Sequence, residues 1–201
     1  MTTRQVGIYV YPGVEVLDFA GPFEVFTTAS RVAARRAAAE PPFRVLTLAR
    51  EPGPVTARAG FRHLPDALIG DHPPLDLLVV PGGDERNERD EPALMAWLQR
   101  TAPGLEVLAS VCTGAFLLAG ASLLDGRRVT THWEDVAELA RLYPALAVAD
   151  TGRWIDDGDV VTSAGISAGL DMALHLVARS AGEELAMATA RQMDYHWQSR
   201  P

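Results

Sequence analysis

Residues 105–120, LEVLASVCTGAFLLAG, run from an apolar strand-like segment directly into a helix-like one. The apolar residues up to Val111 are typical of a strand that is buried on both faces of a sheet. Gly114 then allows the chain to turn sharply into the following helix. This order predicts that Cys112 lies at the carboxyl edge of a parallel sheet, on a bend like a nucleophile elbow. Open α/β sheets bind their ligands at that edge.

The rest of the chain repeats this alternation of apolar strands and helices. The pattern predicts main strands at residues 6–11, 43–49, 75–80, 105–111 and 160–163, shorter ones at 128–131 and 148–150, and two β pieces within 52–62. It predicts helices at residues 23–39 (opened by the preceding Gly-Pro), 92–100, 113–119, 133–142, 166–181 and 183–195. Such an order is typical of an α/β domain with a mostly parallel sheet. Because nothing resembles a linker, residues 1–201 are expected to form one domain.

Composition excludes several classes of function. The 201 residues carry 26 acidic and 18 basic side chains, a formal charge of −8, which argues against nucleic acid as the main partner. Every basic residue is arginine, so Schiff-base chemistry and a P-loop lysine are excluded. The single cysteine excludes a disulfide framework and a multi-cysteine zinc site, and the histidines show no metal-binding spacing. No segment resembles a membrane span or an export signal, so a cytoplasmic protein without a membrane partner is expected.

Cys112 is a candidate nucleophile, because the positive end of the following helix is expected to favour its thiolate. The alternative is a buried, inert cysteine, as most free cysteines are. A nucleophile also needs donors for developing negative charge. The backbone N–H groups of Gly83, in VVPGGDE (79–85), and of Thr113 are the candidates. An ordinary turn after a strand is the alternative interpretation of the Gly-Gly pair.

The candidate acid is Asp18, which is expected in the loop after the first strand, at the same edge of the sheet. Apolar neighbours would raise its pKa and allow it to act as a general acid. The alternative role for Asp18 is a helix cap, and Glu24, one turn into the predicted helix, is the competing acid. His132, in TTHWED, is expected either at the catalytic edge or as the cap of the helix that begins near residue 133.

Four motifs together resemble the ThiJ/PfpI superfamily, whose members have the class I glutamine amidotransferase-like fold. They lie in the family's order: IYVYPGVEVLDFAGPFEVF (8–26), DLLVVPGG (76–83), SVCTGAFLLAGASLLDGRRVTTHW (110–133) and VVTSAGISAGLDMAL (160–174). The resemblance implies a flavodoxin-like three-layer α/β sandwich with a mostly parallel central sheet.

Within the superfamily, the chain is most similar to the isocyanide hydratases and to the amidotransferase-like domain of AraC-type regulators. The hydratase resemblance implies a hydro-lyase without a cofactor that converts an isocyanide into an N-substituted formamide. Cys112 would attack the isocyanide carbon, and Asp18 would supply a proton and help water to resolve the thioimidate. Thr113 and Gly83 would orient the reacting groups.

The same resemblance places Ile166 and Ser167 in the segment that packs beside the cysteine, with Phe19, Trp133 and Ala164 as candidate substrate contacts. It also implies a homodimer that acts on a small molecule. Peptidase activity is disfavoured, because threonine follows the cysteine where peptidase relatives have histidine.

Two alternatives to the hydratase stay open. One is a stand-alone ligand or redox sensor related to the AraC-type regulator domain. The residues that follow the last predicted helix are expected to be too few for a DNA-binding element. The other is a glyoxalase- or deglycase-type carbonyl-stress protein, in which the cysteine pairs with a glutamate on the first helix.

Overall fold

A seven-stranded sheet forms the centre of the molecule in the computed structural model, which describes residues 2–36 and 40–200. The strands are β1 Arg4–Tyr9, β2 Phe43–Ala49, β3 Val55–Thr56, β4 Arg62–His63, β5 Ala67–Leu68, β6 Leu77–Val80, β7 Val107–Val111, β8 Arg128–Val129, β9 Ala147–Val148, β10 Trp154–Asp157 and β11 Val160–Ser163. The helices are α1 Val16–Arg35, α2 Pro92–Thr101, α3 Gly114–Gly120, α4 Val136–Leu142, α5 Ala168–Ala181 and α6 Glu183–Gln192.

The sheet has the strand order β10-β11-β7-β6-β1-β2-β5. Every pair in it is parallel except β10 with β11. Helices α1, α5 and α6 pack against one another, and α2 packs against α3. Helix α1 connects β1 to β2, and α2 connects β6 to β7, which lies in the opposite direction along the sheet. Because both crossovers are right-handed, the two helices lie on opposite faces of the sheet. The predicted three-layer, flavodoxin-like α/β fold is confirmed.

This topology fixes where a ligand can bind. The strand order reverses between β1 and β6, and in open α/β sheets the crevice at such a switch point is the binding site. The segments that follow β1, β6 and β7 meet there at the carboxyl edge of the sheet. They contain Asp18, Gly82 with Gly83, and Cys112, respectively.

Helix α1 differs most from the sequence prediction. It begins at Val16 rather than at residue 23, so Pro22 lies inside the helix and not at its start. The buried side chains of Phe19, Val25 and Phe26 place this helix against the sheet, and their packing outweighs the single backbone hydrogen bond that proline removes. The last predicted residues, 37–39, lie outside the described residues.

The other differences concern short or polar elements. The prediction missed β5 and β10, because β5 has two residues and β10, WIDD, lacks an apolar run. Helix α4 begins at Val136, three residues later than predicted. In the part of the chain that the structure describes, no helix is both long and apolar enough to cross a bilayer.

Candidate active site

Cys112 lies at a sharp bend between β7 and α3, in a strained conformation with φ of 55°. Neighbouring segments hold it there: its N–H donates to Ser163 O (3.1 Å), and its carbonyl accepts from Thr131 Oγ1 (2.8 Å). The bend requires glycine at position 114, because a Cβ there would lie 2.0 Å from Val80 O. A strained residue that its surroundings hold so firmly is typical of functional sites.

The environment of the thiol favours its protonated form. Burial raises the pKa of Cys112 to about 12, and the negative charge of Asp18 adds to the effect. Hydrogen bonds from the backbone N–H groups of Thr113 and Ile166 act in the opposite direction but do not outweigh burial. The expectation that the helix would favour the thiolate is therefore wrong for the free protein. Any nucleophilic role of this cysteine needs a base that removes its proton.

Asp18 supplies a carboxyl group beside this thiol. It lies in the first turn of α1 and not in a loop as expected, and its side chain is fully buried. It is not the helix cap either, since Glu15 occupies that position. Asp18 Oδ2 accepts a hydrogen bond from Gly82 N (3.0 Å), whereas Oδ1 has no hydrogen-bond partner among the described residues. Burial raises the pKa of Asp18 to about 7, against the opposing effects of Gly82 and Cys112.

Thr113 and Gly83 bind each other instead of presenting two free donors. Gly83 N donates to Thr113 Oγ1 (3.0 Å), and that hydroxyl lies 3.2 Å from Gly83 O. The expected role of the Gly83 N–H as an oxyanion donor does not fit this geometry, because the Thr113 side chain already accepts from it. The Thr113 N–H is directed at the Cys112 sulfur instead.

Gly82 is the functional residue that sequence reasoning missed. A Cβ at this position would lie 2.5 Å from Thr113 N and 3.0 Å from Asp18 Oδ2. Only glycine therefore lets the loop after β6 approach both the elbow and the acid. The Gly-Gly pair was the available signal, but the pattern could not distinguish which of the two glycines orients the acid.

Ile166 and His132 complete the wall around the sulfur, and both line the cavity described below. Ile166 has φ of 44°, which turns its N–H toward Cys112. His132 packs against the backbone of Gly165, where a Cβ would lie 2.1 Å from His132 Cδ2. The Nδ1 atom of His132 accepts from Glu134 N (3.4 Å), so the ring also caps the turn that precedes α4.

The remaining candidates lie elsewhere. Glu24 is exposed and binds Thr28 and Arg31 on its own helix. Ser167 is exposed and accepts a hydrogen bond from Arg153 (3.1 Å) outside the cavity. The candidate substrate contacts are not at the cavity in the described structure: Phe19 packs on Phe61 and His63, Trp133 is 74% exposed, and Ala164 does not contribute to the lining.

A cavity of about 470 Å³ opens above Cys112. Gly83, Thr113, His132 and Ile166 form its walls near the sulfur, and charged side chains surround its mouth. Its volume suits a small molecule. The arrangement combines a nucleophilic atom, a nearby acid that titrates near neutrality and two backbone donors.

Comparison with known proteins identifies the family. The model of the DJ-1/PfpI family matches residues 4–179. The chain belongs to this family. An isonitrile hydratase from Pseudomonas putida is 32% identical over 192 residues, which are 95% of this chain and 78% of that protein.

Other DJ-1/PfpI relatives carry different descriptions. The HTH-type transcriptional regulator CdhR from Pseudomonas aeruginosa is 35% identical over 90% of this chain, which spans only 52% of that regulator. The crystal structure of a ThiJ/PfpI family protein from Pseudomonas syringae superposes with a TM-score of 0.84 at 28% identity. The superposition covers 97% of this chain and 76% of the chain in that crystal structure. Membership of the family therefore fixes the fold, but the relatives include proteins described as an enzyme and as a transcriptional regulator.

Proposed function

We propose that this protein is an isonitrile hydratase, a hydro-lyase that adds water to an isonitrile and releases an N-substituted formamide. The observation that carries the proposal is the buried pair of Cys112 and Asp18, in which the acid has a pKa of about 7. The similarity to the isonitrile hydratase of Pseudomonas putida supports it. The proposal includes a homodimer in the cytoplasm that needs no cofactor.

The first step forms a carbon–sulfur bond. Ionised Asp18 accepts the thiol proton of Cys112 as the sulfur attacks the terminal carbon of R–N≡C, so the step needs no stable thiolate despite the high pKa of the thiol. Asp18 then returns the proton to the same carbon. The product is the thioimidate Cys–S–CH=N–R, with every atom of thiol and isonitrile retained. An acid with a pKa near neutrality is suited to move this proton in both directions.

The second step breaks that bond again. Asp18 accepts a proton from water as the water oxygen adds to the thioimidate carbon, and it passes that proton to the nitrogen. The tetrahedral intermediate Cys–S–CH(OH)–NH–R then expels the sulfur as the C=O bond forms, and the hydroxyl proton moves through Asp18 to the sulfur. This step yields R–NH–CHO and restores the thiol. The N–H groups of Thr113 and Ile166 stabilise negative charge on the departing sulfur.

The test is formamide production from simple alkyl and aryl isonitriles by the wild type and three variants. Cys112→Ala and Asp18→Asn are expected to lower kcat by about 10³-fold or more. Glu24→Gln is the matched control, because it makes the same change from carboxyl to amide on the same helix, outside the cavity. Its activity is expected to equal that of the wild type. Undiminished hydration by folded Asp18→Asn would refute the mechanism.

The similarity to CdhR over 90% of this chain favours a second candidate, a ligand sensor that uses the same cavity. A sensor binds its ligand without turnover, so the two functions differ in whether formamide accumulates. The carbonyl-stress alternative needs a glutamate paired with Cys112. The structure does not favour it, because the Glu24 side chain is exposed and binds Thr28 and Arg31 on its own helix.

A further inference from the structure

The cavity above Cys112 has an unbalanced charge. Six carboxyl groups contribute to its lining within the described part of the chain, those of Glu15, Asp84, Glu85, Glu134, Asp135 and Glu138. Three guanidinium groups lie among them. Even with His132 protonated, the lining therefore keeps an excess of negative charge.

The three arginines are already paired. Arg58 lies 3.4 Å from Glu15, and Arg86 lies 2.7 Å from Asp84. Arg89 binds Glu85 and Glu138 and covers the ring of Phe116 at 3.9 Å. An anionic ligand would have to compete with these carboxylates for each guanidinium, so the arginines do not form an anion site.

The carboxylates of Glu134 and Asp135 have no arginine partner among the ion pairs of the described residues; both lie near His132 Nδ1, at 3.6 and 3.5 Å. Burial raises the pKa of Asp135; the charge of His132 acts against this, and the charges of Glu85, Glu138 and Glu134 add to it. Asp135 in turn raises the pKa of Cys112. The negative potential of the mouth therefore reaches the sulfur, beside which Asp18 adds a buried carboxyl group.

We propose that this cavity selects positively charged ligands over negatively charged ones, and that the substrate carries an ammonium-type group beside its reactive carbon. The identification of that ligand as a substrate rests on the proposed hydratase function, whereas the charge selectivity does not. A cleft with charge of one sign and low-dielectric walls concentrates oppositely charged molecules and repels those of like charge. An ammonium group at the mouth would interact with Glu134 and Asp135 while the isonitrile carbon reaches Cys112.

The selectivity can be measured without catalysis, because Cys112 is the only cysteine and thiol reagents label it alone. We compare a methanethiosulfonate that carries a trimethylammonium group with one that carries a sulfonate group. The cationic reagent is expected to react about tenfold faster at low ionic strength, with the ratio falling in high salt. Both reagents need the same thiolate, so the high pKa of Cys112 cancels from the ratio.

Variants assign the effect to the cavity mouth. The double variant Glu134→Gln, Asp135→Asn is expected to lower the ratio by about threefold or more. Glu183→Gln, Glu184→Gln is the matched control, because it removes two exposed carboxylates at α6, outside the cavity, and is expected to leave the ratio unchanged. Equal rates for the two reagents with the wild type, or an equal loss of selectivity in the control, would overturn the proposal.

A second pair of probes separates this proposal from the function on which it rests. Alkyl isonitriles that end in an ammonium or a carboxylate group are offered to the wild type. A higher kcat/KM for the ammonium compound supports both proposals. Equal values with equal labelling rates refute the selectivity and retain the hydratase. A tenfold labelling preference without hydration of either compound refutes the hydratase and retains the selectivity.

Discussion

Replacing Asp18 by asparagine tests whether this buried carboxyl titrates as the structure implies. The folded protein holds the pKa of Asp18 at about 7, whereas an unperturbed aspartate has a value of 3.8. The folded state therefore binds the proton more tightly than the unfolded chain does. Asparagine keeps the shape, and its oxygen can still accept the hydrogen bond from Gly82, but it has no charge to bury.

The pKa values give the size of the effect. Below pH 3.8 the carboxyl is protonated in both states, so its ionisation costs no stability. As the pH rises from 3.8 through about 7, the unfolded state ionises first and folding stability falls. At about 1.4 kcal/mol per pKa unit, the full loss is about 4 kcal/mol, reached at and above pH 8. The Asp18→Asn variant avoids this loss.

The measurement is urea denaturation of the wild type and Asp18→Asn between pH 4 and pH 8. The stability of the variant relative to the wild type is expected to rise by about 4 kcal/mol across this range. An unpaired amide nitrogen in the variant would shift the whole curve but not its dependence on pH. Glu24→Gln is the control for the change from carboxyl to amide, at an exposed position of the same helix. Parallel pH profiles for the wild type and Asp18→Asn would refute the argument for a raised pKa.

Three further predictions follow from the elbow and its surroundings. Gly114→Ala should lower the free energy of unfolding by about 3 kcal/mol in denaturant titrations, because its Cβ would lie 2.0 Å from Val80 O. An unchanged denaturation midpoint would show that the bend after Cys112 does not require glycine at this position. The rate at which iodoacetamide labels Cys112 should rise about tenfold per pH unit from pH 8 to 9.5, because the pKa of the thiol is about 12. A rate that is already constant below pH 8 would show that the thiolate is stable there. Gly165→Ala should displace His132 from its contact at the cavity wall and slow hydration about tenfold or more while Tm changes little; an unaltered kcat would show that the reaction does not depend on the position of His132.

The sequence allowed the fold and the position of the elbow to be predicted, because both depend on local patterns. The apolar run before Cys112 and the glycine two residues after it are sufficient to indicate a buried strand and a sharp turn. The Gly-Gly pair after β6 indicated a second segment at the same edge. Parallel strands that end at one edge then bring these segments together.

Protonation states and individual contacts could not be predicted in the same way. The pKa of Cys112 depends on how completely the fold buries the sulfur, and a helix-end argument contains no measure of burial. The Gly83 N–H was expected to be free, but the hydroxyl of Thr113, thirty residues away, accepts from it. The start of α1 was misplaced because the contribution of Phe19 to the core outweighs the local effect of Pro22.

Trapping of the covalent intermediate tests whether Cys112 forms a bond to the isonitrile carbon. The wild type is mixed with excess isonitrile, quenched in acid within milliseconds and digested with a protease. The mass of the peptide that contains Cys112 is then measured by mass spectrometry. We expect this peptide to gain the mass of one isonitrile and the adduct to decay as formamide appears. Cys112→Ala is expected to form neither the adduct nor the formamide. Formamide production by Cys112→Ala at the wild-type rate would refute catalysis through Cys112.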